Sequence, residues 1–194
     1  MTPARLEAFT DGVVAIIITI MVLELHVPQG SDLPALRAGV PLLLTYLLSY
    51  VNVGIFWNNH HHMLHVTEHI DGSVLWANLA LLFWLSLVPF VIRWMDEAGF
   101  TPLPTAAYGV VLTGAAVSYV ALEWRIVAVN GRNSRLAQAV GNDFKGGVSL
   151  ALYVAAVALA FVRPWLSITL YVLVALLWLV PDRRIEALVK RALP

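Results

Sequence analysis

The chain has 194 residues, of which 60% are hydrophobic and 12% are charged, and its formal net charge is zero. Such a composition does not supply the polar surface that a soluble domain of this length needs, so it predicts an integral membrane protein. The balanced charge offers no basic face for nucleic acid. The absence of cysteine excludes disulfides, thiolate metal sites and a cysteine nucleophile.

Six stretches are long and apolar enough to cross the roughly 30 Å hydrocarbon layer of a membrane as helices. In chain order they are residues 9–27, 39–59, 73–95, 105–127, 147–162 and 165–181. Pro164 has no backbone N–H and predicts a tight turn between the last two. Helices satisfy their own backbone in lipid, and no repeat divides the chain. We therefore expect one all-α domain of six transmembrane helices over residues 1–194.

Lysine and arginine are distributed unevenly between the loops on the two sides of these spans. If the N-terminus lies inside, the inner side holds Arg5, Arg125, Arg132, Arg135, Lys145, Arg183, Arg184, Lys190 and Arg191. The outer side holds only Arg37, Arg93 and Arg163. Because positive residues are retained on the inner side of membranes, this bias predicts that both termini lie inside.

One face of the first span combines a glycine, branched apolar residues and a hydroxyl. At about 100° per residue, the residues that share this face are Gly12, Ile16, Thr19, Ile20 and Leu23. Two interpretations are open: a packing face against another helix, since glycine and threonine favour close packing in membranes, or the wall of an ion path. Glu24 follows at the predicted outer end, as either an interfacial carboxylate or part of an anionic ring that concentrates cations.

Asp11 lies near the start of the same span, where a charge in the membrane is costly and requires a partner. Either Thr10 or Asp11 can cap a helix that begins at about residue 9, and Arg5 places a cation nearby. Spans two and three contribute further polar candidates. These are Trp57, His60 and Asn78, of which a buried asparagine must form hydrogen bonds.

Five of the six histidines lie between residues 60 and 69. His61 and His65, or His65 and His69, are four residues apart, which is a spacing for two metal ligands on one helix face. No cysteine or intervening glutamate base accompanies them, so structural or interfacial histidines are the alternative. A pH response is also open, because histidine titrates near neutrality.

The stretch RLEAFTDGVVAIIITIMVLEL, followed by FWNNHH, WANLALL and VPF, resembles the transmembrane protein 175 family of lysosomal and prokaryotic potassium channels. The family signature is R-x-x-x-F-S-D. Arg5, Phe9 and Asp11 match it, and Thr10 replaces the serine with another hydroxyl. The resemblance covers the first three spans. It implies a six-span subunit, four of which assemble around a potassium pore lined by the first helix, with no cofactor.

The resemblance also implies roles for individual residues. Ile16, Ile20 and Leu23 would form hydrophobic constrictions, with Gly12 on the same wall and Thr19 as the threonine layer implicated in potassium preference. A buried polar network would lie behind the pore helix, formed by the signature residues and their partners: Arg5, Phe9, Thr10, Asp11, Trp57, His60 and Asn78. No TVGYG carbonyl filter occurs in the chain, so we expect only a modest preference for potassium.

The resemblance therefore implies a homotetrameric potassium channel of the prokaryotic cell membrane and not an enzyme. A secondary transporter of a small cation or proton is the alternative, although it would be expected to show internal repeats or broken helices. A metal-dependent membrane enzyme would need converging acid, base or nucleophilic groups, and the histidines are the only dense cluster.

Overall fold

The computed structural model describes residues 2–131, 133–140 and 144–179, and the residues described form helices and their connections only. The helices are α1 (Pro3–Leu23), α2 (Leu33–His65), α3 (Gly72–Ser86), α4 (Val88–Glu97), α5 (Pro102–Asn130), α6 (Arg135–Val140), α7 (Phe144–Ala160) and α8 (Pro164–Leu179). The predicted all-α fold is confirmed.

Four helical stretches can cross a membrane by length and composition: Pro3–Leu23, Leu33–His65, Gly72–Glu97 and Pro102–Asn130. Two further apolar helices, Lys145–Ala160 and Pro164–Leu179, are shorter. Every predicted span falls largely on these six helical stretches, and residues 180 and 181 of the sixth span lie outside the described residues. So do five of the cations assigned to the inner side, Arg132, Arg183, Arg184, Lys190 and Arg191.

The first helix begins at Pro3 rather than near residue 9, and it ends at Leu23 rather than residue 27. Proline suits this position because the first amides of a helix have no intrahelical acceptor. Thr2 is the N-cap residue, and the residues after Pro3 include good helix formers. The prediction that Thr10 or Asp11 caps the helix is therefore wrong, since both lie inside it.

The third predicted span is divided into α3 and α4. Leu87 separates the two helices, and Pro89 in the first turn of α4 cannot donate a backbone hydrogen bond, so the helix restarts there. At the other end of α3, Asp71 is the N-cap residue. Its carboxylate accepts hydrogen bonds from the Ser73 hydroxyl and from the amides of Ser73 and Val74. These bonds hold the pKa of Asp71 below its usual range.

Helix α5 is the centre of the bundle and packs against α3, α4, α7 and α8. Gly114 of α5 lies against the indole of Trp84, where a Cβ atom would collide with the ring. The buried Tyr108 hydroxyl forms a 2.9 Å hydrogen bond with Ser49 of α2. Helix α1 packs against α2, α3 and α4 at the edge of this bundle. One side of α1 is therefore fixed by the subunit and the other side is left open.

Candidate functional site

The two sides of α1 differ sharply in exposure. Ile17 retains only 3% of its accessible surface, whereas its neighbour Ile16 is 60% exposed. The buried side consists of Leu6, Thr10, Val14, Ile17 and Met21. The exposed side includes the five residues called the stripe face here: Gly12, Ile16, Thr19, Ile20 and Leu23. All five residues that the helical periodicity places on one face are thus uncovered within the subunit.

Thr19 supplies the hydroxyl of the stripe face. Its Oγ1 atom donates a 2.8 Å hydrogen bond to the carbonyl of Ala15, one turn earlier in the same helix. Since this bond uses the hydroxyl proton, the lone pairs of the exposed oxygen remain available to an electrophile. The side chain can therefore present an oxygen acceptor to a cation.

A buried hydrogen-bonded chain, the Asn78 network, fixes the opposite side of α1. The Asn78 amide nitrogen of α3 donates to Thr10 Oγ1 of α1 at 3.0 Å. The Asn78 amide oxygen lies 2.8 Å from His60 Nε2 of α2, so that nitrogen must carry a proton and donate. All three side chains are buried. The network thus joins α1, α2 and α3 through hydrogen bonds between buried side chains.

A second set of contacts joins α1 and α2 at a more exposed position. Trp57 Nε1 donates a 2.7 Å hydrogen bond to Asp11 Oδ1, and His61 Nδ1 lies 2.5 Å from Glu7 Oε1. The rings of Trp57 and His61 also stack, with centroids 6.1 Å apart. Asp11 therefore obtains its partner from Trp57. The contact between Glu7 and His61 was not predicted. Glu7 lies four residues before Asp11 on α1, and His61 lies four residues after Trp57 on α2.

Arg5 and Phe9 do not join these contacts. Both are exposed, and the Arg5 side chain has neither a hydrogen bond nor an ion pair with any residue that the structure describes. At about 100° per residue, both lie in the direction of the stripe face and away from the Asn78 network. The fold therefore brings together Thr10, His60 and Asn78, and separately Asp11 and Trp57. It leaves Arg5 and Phe9 outside both sets.

The three histidines of the metal alternative do not share a helix face. Helix α2 ends at His65, and His69 lies in the following loop, where its backbone is bound by the Asn130 side chain. His61 engages Glu7 instead. Among the described residues, no group of three or more histidine, aspartate or glutamate side chains is arranged to hold a metal ion. The predicted spacing of His65 and His69 on one helix face is therefore wrong.

Charged side chains gather at the C-terminal end of α1, in a set called the end cluster here: Glu24, His26, Arg93, Asp96 and Glu97. The Arg93 Nε atom donates to Glu97 Oε1 at 2.8 Å, and Arg93 Nη1 lies 3.5 Å from Glu24 Oε2. His26 Nδ1 lies 3.7 Å from Asp96 Oδ2. The sequence did not indicate that Arg93 would meet Glu24, because the two residues come from different spans.

Comparisons with known proteins agree with this architecture. The family described as the endosomal/lysosomal potassium channel TMEM175 matches residues 5–89. A protein named a potassium channel from Chryseobacterium sp. (strain P1-3) is 49% identical over 190 residues, which are 98% of this chain and 99% of the relative. A protein named a potassium channel from Streptomyces collinus is 31% identical over 191 residues, covering 89% of each chain.

A solved structure also matches this fold. It is the crystal structure of a lysosomal potassium-selective channel TMEM175 homolog from Chamaesiphon minutus, with a TM-score of 0.78 and 26% identity over 93% of this chain and 97% of that chain. The match therefore extends beyond the first three spans to nearly the whole chain. The family consists of channels rather than enzymes, and the apolar helices identify this chain as a membrane protein. The chain belongs to the TMEM175 family of potassium channels.

Proposed function

We propose that this chain forms a potassium-preferring cation channel in which four copies surround a pore lined by α1 of each subunit. The observation that carries the proposal is the uncovered stripe face on a helix whose opposite side is packed and hydrogen-bonded. The relatives named potassium channels support potassium as the permeating ion. In this arrangement the chain lies in the prokaryotic plasma membrane as a six-span subunit with both termini inside, as the positive residues favour.

The constriction is assigned to the branched residues of the stripe face. Four copies of Ile16, Ile20 and Leu23 form three successive apolar rings, and narrow apolar rings close a pore by excluding water. Gly12 carries no side chain beyond its hydrogen, so the path widens towards the inner end of α1. Opening then requires only a small outward movement or rotation of α1, with no charged gate.

The modest preference for potassium is assigned to Thr19. Its hydroxyl oxygen keeps its acceptor lone pairs because the proton is used within the helix. Four such oxygens between the rings of Ile16 and Ile20 can replace part of the hydration shell of a cation. A ring of four hydroxyls is a weaker discriminator than a filter of stacked carbonyls, which is why only modest selectivity is expected.

We propose that the contacts on the packed side of α1 fix the rotation of this helix about its own axis. A turn of about 100° would exchange Ile16 for Ile17 on the pore wall. The bonds from Asn78 to Thr10 and from Trp57 to Asp11 resist that turn from two sides of the helix. Glu24, at the outer end of the same helix, would contribute an anionic ring at the mouth.

Potassium flux into liposomes that contain the purified protein tests the proposal, with Ile16→Asn compared with wild type. Val154→Asn is the matched control, because Val154 is 56% exposed but belongs to α7, which packs against α5 and α8. Wild type should pass potassium ahead of sodium. Ile16→Asn should raise the flux severalfold or reduce the selectivity, since an amide wets the constriction, while Val154→Asn should behave as wild type.

Three other outcomes discriminate between the alternatives. If folded wild type passes no ions, the channel proposal fails. A slow flux that saturates at low ion concentration would instead favour a secondary transporter, which turns over once per conformational cycle. If wild type conducts and Ile16→Asn changes nothing, the protein is a channel whose pore is not lined by the stripe face.

A further inference from the structure

The end cluster contains one fixed cation that two carboxylates share. Glu97 lies four residues after Arg93 on α4 and binds its Nε atom at 2.8 Å. This bond orients the planar guanidinium so that Nη1 projects towards α1 and lies 3.5 Å from Glu24 Oε2. Glu24 is the C-cap residue of α1, so its backbone is tied to the end of that helix. The arrangement therefore brings a positive charge from α4 to the end of the stripe face.

We propose that Arg93 is a conductance-determining residue, which limits the attraction of cations to the pore mouth by offsetting the charge of Glu24. This inference rests on the proposed channel function, in which the C-terminal end of α1 is a mouth of the pore. Four unpaired carboxylates at that mouth would concentrate cations. Arg93 makes the end cluster less negative by one charge in each subunit, so the cluster attracts cations less strongly than its carboxylates alone would.

The remaining members of the end cluster do not cancel this effect. His26 faces Asp96 at 3.7 Å and contributes positive charge only when it is protonated. With His26 neutral, Arg93 is the single cation of the cluster beside the three carboxylates of Glu24, Asp96 and Glu97. Replacing Arg93 with a neutral residue thus makes the mouth more negative by one charge in each subunit.

The test is single-channel or flux measurement of potassium conductance at low and high salt for Arg93→Gln, Glu24→Gln and the double variant. At about 10 mM salt the Debye length is about 30 Å, so mouth charges act over the whole entrance. We expect Arg93→Gln to raise conductance by about twofold or more, Glu24→Gln to lower it, and the double variant to return towards wild type. All differences should shrink at about 1 M salt, where the Debye length is about 3 Å.

Two further variants separate charge from structure. Arg93→Lys keeps the charge and should conduct as wild type does at low salt. Arg163→Gln removes an arginine that lies in the connection between α7 and α8 and forms no ion pair with the end cluster, so it should change conductance less than Arg93→Gln does. An Arg93→Gln conductance equal to that of wild type overturns the inference, as does a rise that persists at high salt or that Arg163→Gln reproduces.

These failures are distinguishable from failure of the channel proposal. If wild type passes no ions, the proposed function fails and the inference about Arg93 fails with it. If wild type conducts and the charge variants have the same conductance as wild type, the channel proposal is supported and Arg93 has no part in attracting cations. If wild type conducts, and the opposite effects of the two single variants offset each other in the double variant, the channel proposal and the inference about Arg93 are both supported.

Discussion

The two ends of α1 are attached to the rest of the subunit by different chemistry. Towards the N-terminus, Asn78 and His60 hold Thr10 through buried hydrogen bonds. At the C-terminus, Glu24 meets Arg93 in an ion pair whose arginine is more than half exposed. The first attachment is buried and directional, whereas the second is open to solvent and electrostatic. In the proposed channel, this difference separates the residues that hold α1 in position from the charged residues at its C-terminal end.

The physical reason lies in desolvation. A charge buried among apolar helices costs several kcal/mol, so the buried attachment uses an amide, a hydroxyl and an imidazole whose polar atoms satisfy one another. Exposed ion pairs contribute little to stability because water and salt screen them. The same exposure lets their charges act on ions outside the protein. We therefore expect the largest stability effects at Asn78 and the smallest at the end cluster.

The Asn78→Leu variant should show the largest effect. Leucine keeps the branching and the number of side-chain heavy atoms but leaves the His60 Nε2 proton and the Thr10 hydroxyl without their buried partner. We expect the free energy of unfolding to fall by about 2 kcal/mol, which is the cost of unsatisfied buried groups. Thermal unfolding in detergent, followed by far-UV circular dichroism, measures this loss.

Asn59→Leu is the matched control for that experiment. The Asn59 amide donates to the carbonyl of Ile55 in its own helix and forms no bond to another helix among the residues that the structure describes. A decrease for Asn59→Leu as large as that for Asn78→Leu would show that leucine itself is poorly tolerated in these helices. The Asn78 network would then have no special part in fixing α1.

The Trp57→Phe variant should have an intermediate effect. Phenylalanine keeps an aromatic ring next to His61 but loses the indole N–H that donates to Asp11. Because the bond ends on a carboxylate and is partly exposed, we expect a loss of about 1 kcal/mol in the free energy of unfolding. Urea or detergent denaturation curves, with Trp76→Phe as the control at a largely exposed indole, would measure it. Equal curves for the two variants would contradict the role of the bond.

The sequence was sufficient to locate the apolar helical stretches and the stripe face, but not the exact bounds of the helices. Ile16 and Ile20 could be assigned to one side of α1 because helical periodicity depends only on local spacing. The start of α1 was missed because the apolar run begins near residue 9, whereas Pro3 and the helix formers after it extend the helix outward. Hydropathy reports where a helix is buried in lipid and does not report where it begins.

Contacts between spans were harder to predict. The pairing of Asn78 with Thr10 was approached only through family resemblance, which gave a set of residues without their connections. Arg93 and Glu24 are 69 positions apart, and no local pattern indicates that the end of α4 returns to the end of α1. Their proximity follows from how α1 packs against α4.

The Glu24→Gln variant should have the smallest effect on stability and completes the comparison between the two ends. Glutamine keeps the shape of the side chain and removes the charge that faces Arg93, whose Nε remains bound to Glu97. Because the pair is exposed to solvent, we expect no measurable change in the melting temperature at physiological salt. A decrease comparable to that of Asn78→Leu would show that the ion pair holds α1 in place. Both ends of α1 would then hold the helix in position. The proposed difference, in which one end positions the helix and the other sets the electric field, would be wrong.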